Sequence, residues 1–203
     1  MINNYSTLVE YLNNFTDTHQ ITLIGPLNPQ PSDWKEPCVF VDGGTKFRTN
    51  TQFGFAVGDG DSAPLPLDQF LSPDKDFSDL QYVLANIPQH FQKINLWGFM
   101  GGRLDHQLMN FSEVHLFLKN RENCVVYFDS NILAYSKGCW NFSFNGTFSL
   151  FCFEPTNVNL NGDCYYPLDQ LPLRHLSSHG LSNQANGKVL LGNDHPVFLF
   201  LNT

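Results

Sequence analysis

Basic residues are scarce in this sequence: 11 Lys and Arg stand against 19 Asp and Glu, for a formal net charge of -8. This deficit argues against a surface for nucleic acid or for an anionic membrane, because both attract clustered positive charge. Long apolar runs are also lacking, and none approaches the ~20 residues of a membrane-spanning helix. An acidic chain can still bind a polyphosphate, provided that a metal or a local cluster of Arg and Lys neutralises the phosphate charge.

Paired cysteines are lacking too. The five cysteines are odd in number and include no C-x-x-C pair and no zinc-finger spacing. They predict reduced, mostly buried thiols. The N-terminal residues do not have the basic and then apolar blocks of a signal peptide, so we expect a cytoplasmic protein. The cysteines are Cys38, Cys124, Cys139, Cys152 and Cys164.

Apolar and aromatic residues, in contrast, are plentiful. The 203 residues are 42% hydrophobic and include 19 Phe, enough for a real core in one large domain or two small ones. Up to about residue 125, apolar runs alternate with helical patterns, whereas short apolar runs and turns follow. We therefore expect an α/β N-terminal domain (1–125) with a mainly parallel sheet and flanking helices. An all-β, sandwich-like domain (126–203) should follow, with a hairpin turn at Asn145 and Gly146.

Helix signals are local and specific. Thr7 and Glu10 form a capping-box pattern, and Ser78 is a candidate N-cap. The three glycines of residues 98–102 precede a third helical pattern. Its predicted apolar face consists of Leu104, Leu108, Phe111, His115 and Leu118.

Two carboxylates are the leading candidates for a metal-binding site. Asp59 and Asp61 follow the apolar run 53–57 and are flanked by glycines. If that run is a strand, both lie at its C-terminal end, where open α/β sheets place their ligands. At roughly 4 Å, two such charges repel by about 4 kcal/mol, and Mg²⁺ would remove that repulsion. A solvated acidic turn explains the same residues without any metal.

Two further glycine-rich segments resemble ligand loops. Asp42 precedes two glycines at a predicted strand end, which permits close approach of a ligand to the backbone. The glycines before the third helix leave backbone N–H groups free for phosphate, and Arg103 can add a bidentate contact. Both segments also have an ordinary structural explanation. Asp42 fits a common β–α turn, and His106, which follows the second segment, fits a structural histidine held by hydrogen bonds.

Four segments in this order resemble the thiamine pyrophosphokinase family. They are DGG at 42–44, GDGDS at 58–62, DKDFSD at 74–79 and GFMGGRLDH at 98–106. Asn110 fits the family pattern after the last motif. More loosely, YPL at 166–168 and SHGLSN at 178–183 resemble its thiamine-binding segments. The resemblance covers nearly the whole chain.

The resemblance implies Mg²⁺-dependent transfer of pyrophosphate from ATP to the hydroxyl of thiamine, giving thiamine diphosphate and AMP. It also implies homodimers whose active sites lie between the catalytic domain of one subunit and the β domain of the other. By motif, Asp59, Asp61 and Asp79 would hold the metal, and Asp42 and Arg103 would join them in catalysis. The nucleotide pocket would include Gly43, Gly44, Lys75, Asp76, Gly101, Gly102, Asp105, His106 and Asn110. Thiamine would meet Tyr166, Ser182 and Asn183.

The sequence departs from the family pattern at several positions. Lys46 stands where the family usually has Asn, Gly60 where it has an aromatic residue, and Ser78 where it has Thr. An extra residue before Tyr166 makes Tyr165 a competing stacking residue. Two other functions stay open: a metal-dependent nucleotide pyrophosphohydrolase that uses water, and a catalytically silent homologue that binds thiamine.

Overall fold

The computed structural model describes residues 5–29, 34–129, 131–175 and 177–202. Packing divides the chain into two compact units, Met1–Glu113 and Val114–Thr203. The domain limit at 125/126 stays a prediction. The strands are β1 (Gln20–Ile24), β2 (Cys38–Val41), β3 (Phe55–Gly58), β4 (Gln69–Phe70), β5 (Lys93–Trp97), β6 (Val125–Phe128), β7 (Ile132–Tyr135), β8 (Gly138–Phe151), β9 (Thr156–Cys164), β10 (Leu168–Leu173), β11 (Asn183–Asn193) and β12 (Val197–Asn202). The α-helices are α1 (Leu8–Leu12), α2 (Asp79–Asn86) and α3 (Leu104–Lys119).

In the first unit, strands pair in the order β5-β1-β2-β3-β4 and run parallel. The predicted helix caps are confirmed. Thr7 and Glu10 form a reciprocal capping box on α1, and Ser78 accepts a hydrogen bond from the Gln81 N–H at the start of α2. The buried residues of α2 are Leu80, Val83 and Leu84, as its apolar spacing indicates. The N-termini of both helices are thus capped by residues that the local sequence pattern identifies.

The expected fold class is wrong. The strands form one twelve-stranded sheet whose pairings are mostly antiparallel, instead of a mainly parallel α/β domain with flanking helices followed by a separate sandwich. Few α-helices connect the parallel strands in the described part of the chain. The link from β2 to β3 holds only a 3-10 helix, Asp42–Phe47, and no helix is described between β3 and β4.

The second unit is antiparallel, in the order β10-β9-β11-β8-β12-β7-β6. The predicted hairpin at Asn145 and Gly146 is wrong, because β8 continues through both residues. Its pairing with β11 sets Gly146 opposite Ala185 and Asn145 opposite Asn186. Eleven consecutive pairs with β11 hold the strand straight where its own turn signal favours a reversal.

Helix α3 differs from its predicted apolar face. His115 and Leu118 are buried as expected, together with Val114 and Phe117. Leu104 and Leu108, however, are 76% and 58% exposed. The apolar spacing is present along the whole helix, but only the C-terminal half of α3 is buried in the chain. No α-helix among the described residues is long and apolar enough to span a bilayer.

Candidate active site

A cavity of about 520 Å³ opens where the parallel strands of the first unit end. It is lined by residues that follow β2, β3 and β5 and by the first turns of α2 and α3. Parallel strands present their carboxyl ends at one edge of a sheet, and ligands bind there in open sheets. Ten of the predicted site residues line it: Asp42, Gly43, Asp59, Asp61, Lys75, Asp79, Gly101, Arg103, His106 and Asn110.

Asp42 is held in an unusual backbone conformation. Its φ is 41°, in the left-handed region that non-glycine residues rarely occupy. Glycine is needed next to it on β3, since a Cβ on Gly58 would lie 2.7 Å from the Asp42 Cβ. The Gly60 N–H donates to Asp42 Oδ1 at 3.2 Å, and Gly60 itself has a φ of +85°. The two glycines of the acidic loop therefore allow Asp42 to approach it.

Three carboxylates converge as a result. One ligand oxygen from each of Asp42, Asp59 and Asp61 lies within 4.8 Å of the others. Burial raises the pKa of Asp42; two N–H hydrogen bonds oppose that shift, and the charges of Asp61 and Asp59 add to it. A divalent cation relieves such repulsion, and Mg²⁺ prefers oxygen ligands such as carboxylates, usually together with substrate phosphates. The donor set therefore fits a hard divalent cation.

Lys75 has a role that the motif alone does not indicate. Its Nζ lies 2.5 Å from Asp59 Oδ2 and 3.2 Å from Asp79 Oδ1, and only 7% of its side chain is exposed. The hydrogen bond from Lys75 lowers the pKa of Asp59. Burial raises the pKa of Asp79 against the opposing effect of Lys75. Asp79, predicted as a metal ligand, thus pairs with this ammonium and lies outside the three-carboxylate cluster.

The glycine-rich loop forms a second wall. A Cβ on Gly98 would lie 2.0 Å from the Leu27 carbonyl oxygen, and Gly101 and Gly102 have φ values of +91° and +79°. Only glycine fits this path without strain. Asn110 fixes the loop to α3, because its Nδ2 donates to the Phe99 carbonyl at 2.9 Å.

Arg103 follows the glycine-rich loop, and its exposed side chain pairs with Asp105. Its Nε lies 3.1 Å from Asp105 Oδ1, and 72% of the Arg103 side chain is exposed. The guanidinium lowers the pKa of Asp105 to about 2. A phosphate that binds Arg103 would therefore share the guanidinium with Asp105 or displace the Asp105 carboxylate from it.

Four other predicted nucleotide-pocket residues do not line the cavity: Gly44, Asp76, Gly102 and Asp105. Gly44 has a packing reason, since a Cβ there would lie 2.1 Å from the Ile24 carbonyl oxygen. Lys46 lies over the Phe47 ring at 4.9 Å from its centroid.

The predicted thiamine residues lie together in the second unit. Asn183 is buried, and its amide makes hydrogen bonds to both the N–H and the carbonyl of Tyr166, at 3.0 and 2.7 Å. Tyr166 is 56% exposed and Tyr165 71% exposed, with an edge-to-face contact between their rings. Ser182 has a φ of 60° and donates its N–H to Ser149 Oγ. Asn183 thus holds the Tyr166 backbone, and the roles of these residues toward thiamine stay predictions.

Sequence reasoning missed some residues of the cavity and its supports. Phe77 and Ser62 line it, and Phe77 stacks on Tyr82 at a centroid distance of 6.0 Å. Phe77 lies within the quoted DKDFSD motif, so its neighbours were the available signal. Glu113 accepts a hydrogen bond from Ser78 Oγ at 2.7 Å, and no local pattern in the sequence indicates that contact.

Comparison of sequences finds no matching family model and no similar curated protein. Comparison of structures does find similar proteins. Thiamine pyrophosphokinase from Bacillus subtilis matches with a TM-score of 0.69 at 18% identity, over 91% of this chain and 100% of that one. The enzyme from Geobacillus thermodenitrificans matches with a TM-score of 0.70 at 21% identity, over 91% and 98%. The one from Candida albicans matches with a TM-score of 0.70 at 14% identity, over 93% and 90%.

These matches extend over almost the full length of both chains in each pair, and they include both units. At such low identity a structural match establishes the fold and leaves the reaction open. The resemblance seen in the motifs is confirmed at that level: this chain has the fold of the thiamine pyrophosphokinases.

Proposed function

We propose that this protein transfers pyrophosphate from ATP to the hydroxyl group of thiamine, giving thiamine diphosphate and AMP. The observation that carries the proposal is the cluster of Asp42, Asp59 and Asp61 inside a cavity that is also lined by Lys75 and Arg103. A fold of the matching kind accompanies it. A solvated acidic turn does not explain why Asp42, which follows the neighbouring strand β2, adopts a left-handed φ beside these carboxylates.

Asp42, Asp59 and Asp61 are the residues that would hold Mg²⁺. When bound there, the ion would neutralise the phosphate charge that the acidic chain alone repels. Lys75 would keep Asp59 ionised and oriented, because its ammonium lies against Asp59 Oδ2. Asp79 would act indirectly, by holding the Lys75 ammonium beside Asp59. This assignment gives the third metal position to Asp42 in preference to Asp79.

The remaining residues of the cavity would position the nucleotide. The N–H groups of the glycine-rich loop suit phosphate oxygens. Arg103 is exposed at the start of α3, so it can turn from Asp105 toward a bound phosphate. Phosphoryl-type transfer demands positioning and charge stabilisation more than covalent chemistry, and these residue types meet that demand.

For thiamine, we propose the exposed ring of Tyr166 as the contact, since an aromatic face attracts a cationic ring. Tyr165 is the alternative, and it is the more exposed of the two. A homodimer with shared active sites and a cytoplasmic location stay predictions.

The decisive assay incubates the protein with Mg²⁺, ATP and thiamine and separates the products. We expect AMP and thiamine diphosphate in equal amounts, with loss of both when Mg²⁺ is chelated. AMP formed at the same rate without thiamine would identify a pyrophosphohydrolase. Binding of thiamine without any turnover would identify a silent homologue, and either result would overturn the proposal.

A further inference from the structure

A second cavity, of about 580 Å³, lies on one face of β1 and β5. This volume is within the roughly 300–1,000 Å³ of typical small-molecule sites. It shares no lining residue with the candidate active site. Its floor comes from alternate residues of the two strands, and Trp34 and Lys35 form part of its wall.

The floor is polar where a sheet core would be apolar. Thr22 and Asn95 are directly paired on neighbouring strands, and each is only 7% exposed. On the opposite face, the pairs Ile21–Ile94 and Leu23–Leu96 are apolar and at most 1% exposed. Parallel strands covered on both faces are normally apolar on both. A buried Thr–Asn pair therefore calls for an explanation beyond packing.

Hydrogen-bonding capacity remains on this floor and on its wall. Asn95 Nδ2 reaches Thr22 Oγ1 at 3.5 Å, the long limit for a hydrogen bond. The Trp34 indole N–H is buried and has no acceptor among the described residues. Buried donors without partners are rare and commonly point to an absent ligand or water. Trp97 adds a second indole to the lining.

The rim is basic although the whole chain carries a net charge of -8. Lys35 and Lys93 line the cavity together with a single acid, Glu36. The Glu36 carboxylate is engaged elsewhere, since its Oε1 accepts from the Gly54 N–H at 2.9 Å and lies 3.4 Å from the Tyr11 hydroxyl. Among the described residues of the lining, two lysines therefore stand against one acid, which leaves a formal charge of +1.

We propose that this cavity binds a planar heteroaromatic compound that carries an anionic group, such as a pyrimidine nucleotide. The ring would lie against the indoles, and its amide-like edge would bond to Asn95, Thr22 and the Trp34 N–H. Lys35 would contact the anionic group. This site is separate from the proposed pyrophosphokinase activity and does not depend on it.

Uridine 5′-monophosphate is a suitable probe, and the three tryptophans provide the readout. In a ¹H–¹⁵N spectrum of the whole protein, titration should move the Trp34 indole signal downfield to saturation. Trp140, whose Nε1 already donates to the Ser136 carbonyl at 2.9 Å, is the internal reference and should stay in place. We expect a dissociation constant on the order of 1 mM or below.

Variants assign the contacts. Asn95→Leu should weaken uridine monophosphate at least about tenfold, a loss near 1.4 kcal/mol. Lys35→Met, a change at an exposed side chain, should weaken binding of the nucleotide but not of uridine, whereas Lys137→Met, also at an exposed side chain, should change neither. No saturable Trp34 shift up to about 10 mM, far above that constant, would overturn the proposal. So would unchanged affinity in both Asn95→Leu and Lys35→Met.

Discussion

Asp42 is held in a backbone conformation that its residue type disfavours. A left-handed, non-glycine backbone costs on the order of 1–3 kcal/mol, and burial raises the pKa of the same carboxyl. The strained backbone and the buried carboxyl of Asp42 both lie beside Asp59 and Asp61. Such strain persists only where surrounding contacts hold it in place, and it clusters at functional sites.

Asp61→Asn separates function from folding. Asp61 contributes a ligand atom to the cluster and is itself exposed, so we expect turnover to fall by about 10²–10³-fold, as for loss of one electrostatic stabiliser. Without metal the free energy of unfolding should stay equal or rise slightly, because one like charge is removed. Steady-state kinetics at saturating Mg²⁺ and denaturant unfolding measure the two effects. Asp74→Asn, at an exposed acid outside the cavity lining, is the matched control, and near-normal turnover of Asp61→Asn would refute the metal assignment.

Lys75→Met tests the ammonium between Asp59 and Asp79. Removing it leaves two mostly buried carboxylates without their shared partner, so the free energy of unfolding should fall by about 1–3 kcal/mol. Mg²⁺ should then stabilise this variant more than the wild type, since Asp59 no longer has the ammonium as a competing partner. Thermal unfolding with and without Mg²⁺ makes the comparison, with Lys137→Met as the control. An equal Mg²⁺ effect on both proteins would place the ion away from Asp59.

The sequence predicts part of this site because strand ends are predictable. Asp42 follows β2, and Asp59 and Asp61 follow the neighbouring strand β3, so the parallel pairing of the two strands brings the acids together. The pairing of Lys75 with Asp59 was not predictable. The two residues are 16 positions apart in irregular structure, where side-chain direction follows from packing and not from a period.

A side-chain hydrogen bond from Ser78 to Glu113 joins the start of α2 to α3. Burial raises the pKa of Glu113, and its Oε2 has no hydrogen-bond partner among the described residues. A raised pKa of an acid favours folding at low pH. That contribution to stability is lost as the pH rises from the ordinary value of 4.5 through the raised one. Glu113→Gln should therefore raise the free energy of unfolding at pH 7 and change it little below the ordinary pKa, because Glu113 is then neutral in both states.

Denaturant unfolding at several pH values measures this prediction. Glu122→Gln, the same change at an exposed position near the end of α3, should leave stability unchanged at each pH. A Glu113→Gln protein that is less stable than the wild type at pH 7 would mean that the charged form is favoured, against the burial argument.

The C-terminal half of α3 contains a titratable group of the opposite kind. Burial lowers the pKa of His115, although Glu154 Oε1 lies 3.5 Å from its Nε2 and opposes the shift. The folded state then favours the neutral imidazole. The contribution of His115 to the free energy of unfolding is therefore fully present above the unfolded pKa of about 6.5, and it decreases as the pH drops below that value. His115→Gln should flatten this dependence of Tm between neutral and mildly acidic pH, and an unchanged slope would contradict the burial effect.

Local and non-local signals differ in what they predict about elements. The caps of α1 and α2 depend on residues three apart, so sequence patterns identify them correctly. The hairpin at Asn145 and Gly146 was wrong because the long pairing of β8 with β11 overrides a two-residue turn preference. The flanking helices were wrong because a 3-10 turn replaces a helix after β2.

The chain combines an N-terminal unit of parallel strands with a C-terminal antiparallel unit. The predicted metal and nucleotide residues belong to the first unit, and the predicted thiamine residues belong to the second. Sequence identity to the structural neighbours is 14–21%. Their fold nevertheless persists over more than nine-tenths of this chain. Many different apolar residues can fill a core of the same pattern, whereas a backbone with positive φ requires glycine at that one position. The four motif segments thus indicated the family resemblance, whereas comparison over the whole sequence found no match.

The predicted homodimer has a direct test in subunit mixing. The metal and nucleotide residues belong to the first unit and the proposed thiamine residues to the second, and Leu104, Leu108 and Met109 expose apolar surface on α3. Asp61→Asn impairs the predicted metal residues, and Tyr166→Ala impairs the predicted thiamine residues. Tyr166 is chosen in preference to Asn183, because the Asn183 amide supports the Tyr166 backbone. If sites are shared between chains, mixed dimers regain one site with both sets of residues intact, and activity rises well above that of either parent. Activity that stays at the sum of the parents, with subunit exchange confirmed by mass spectrometry, would show that each chain completes its own site.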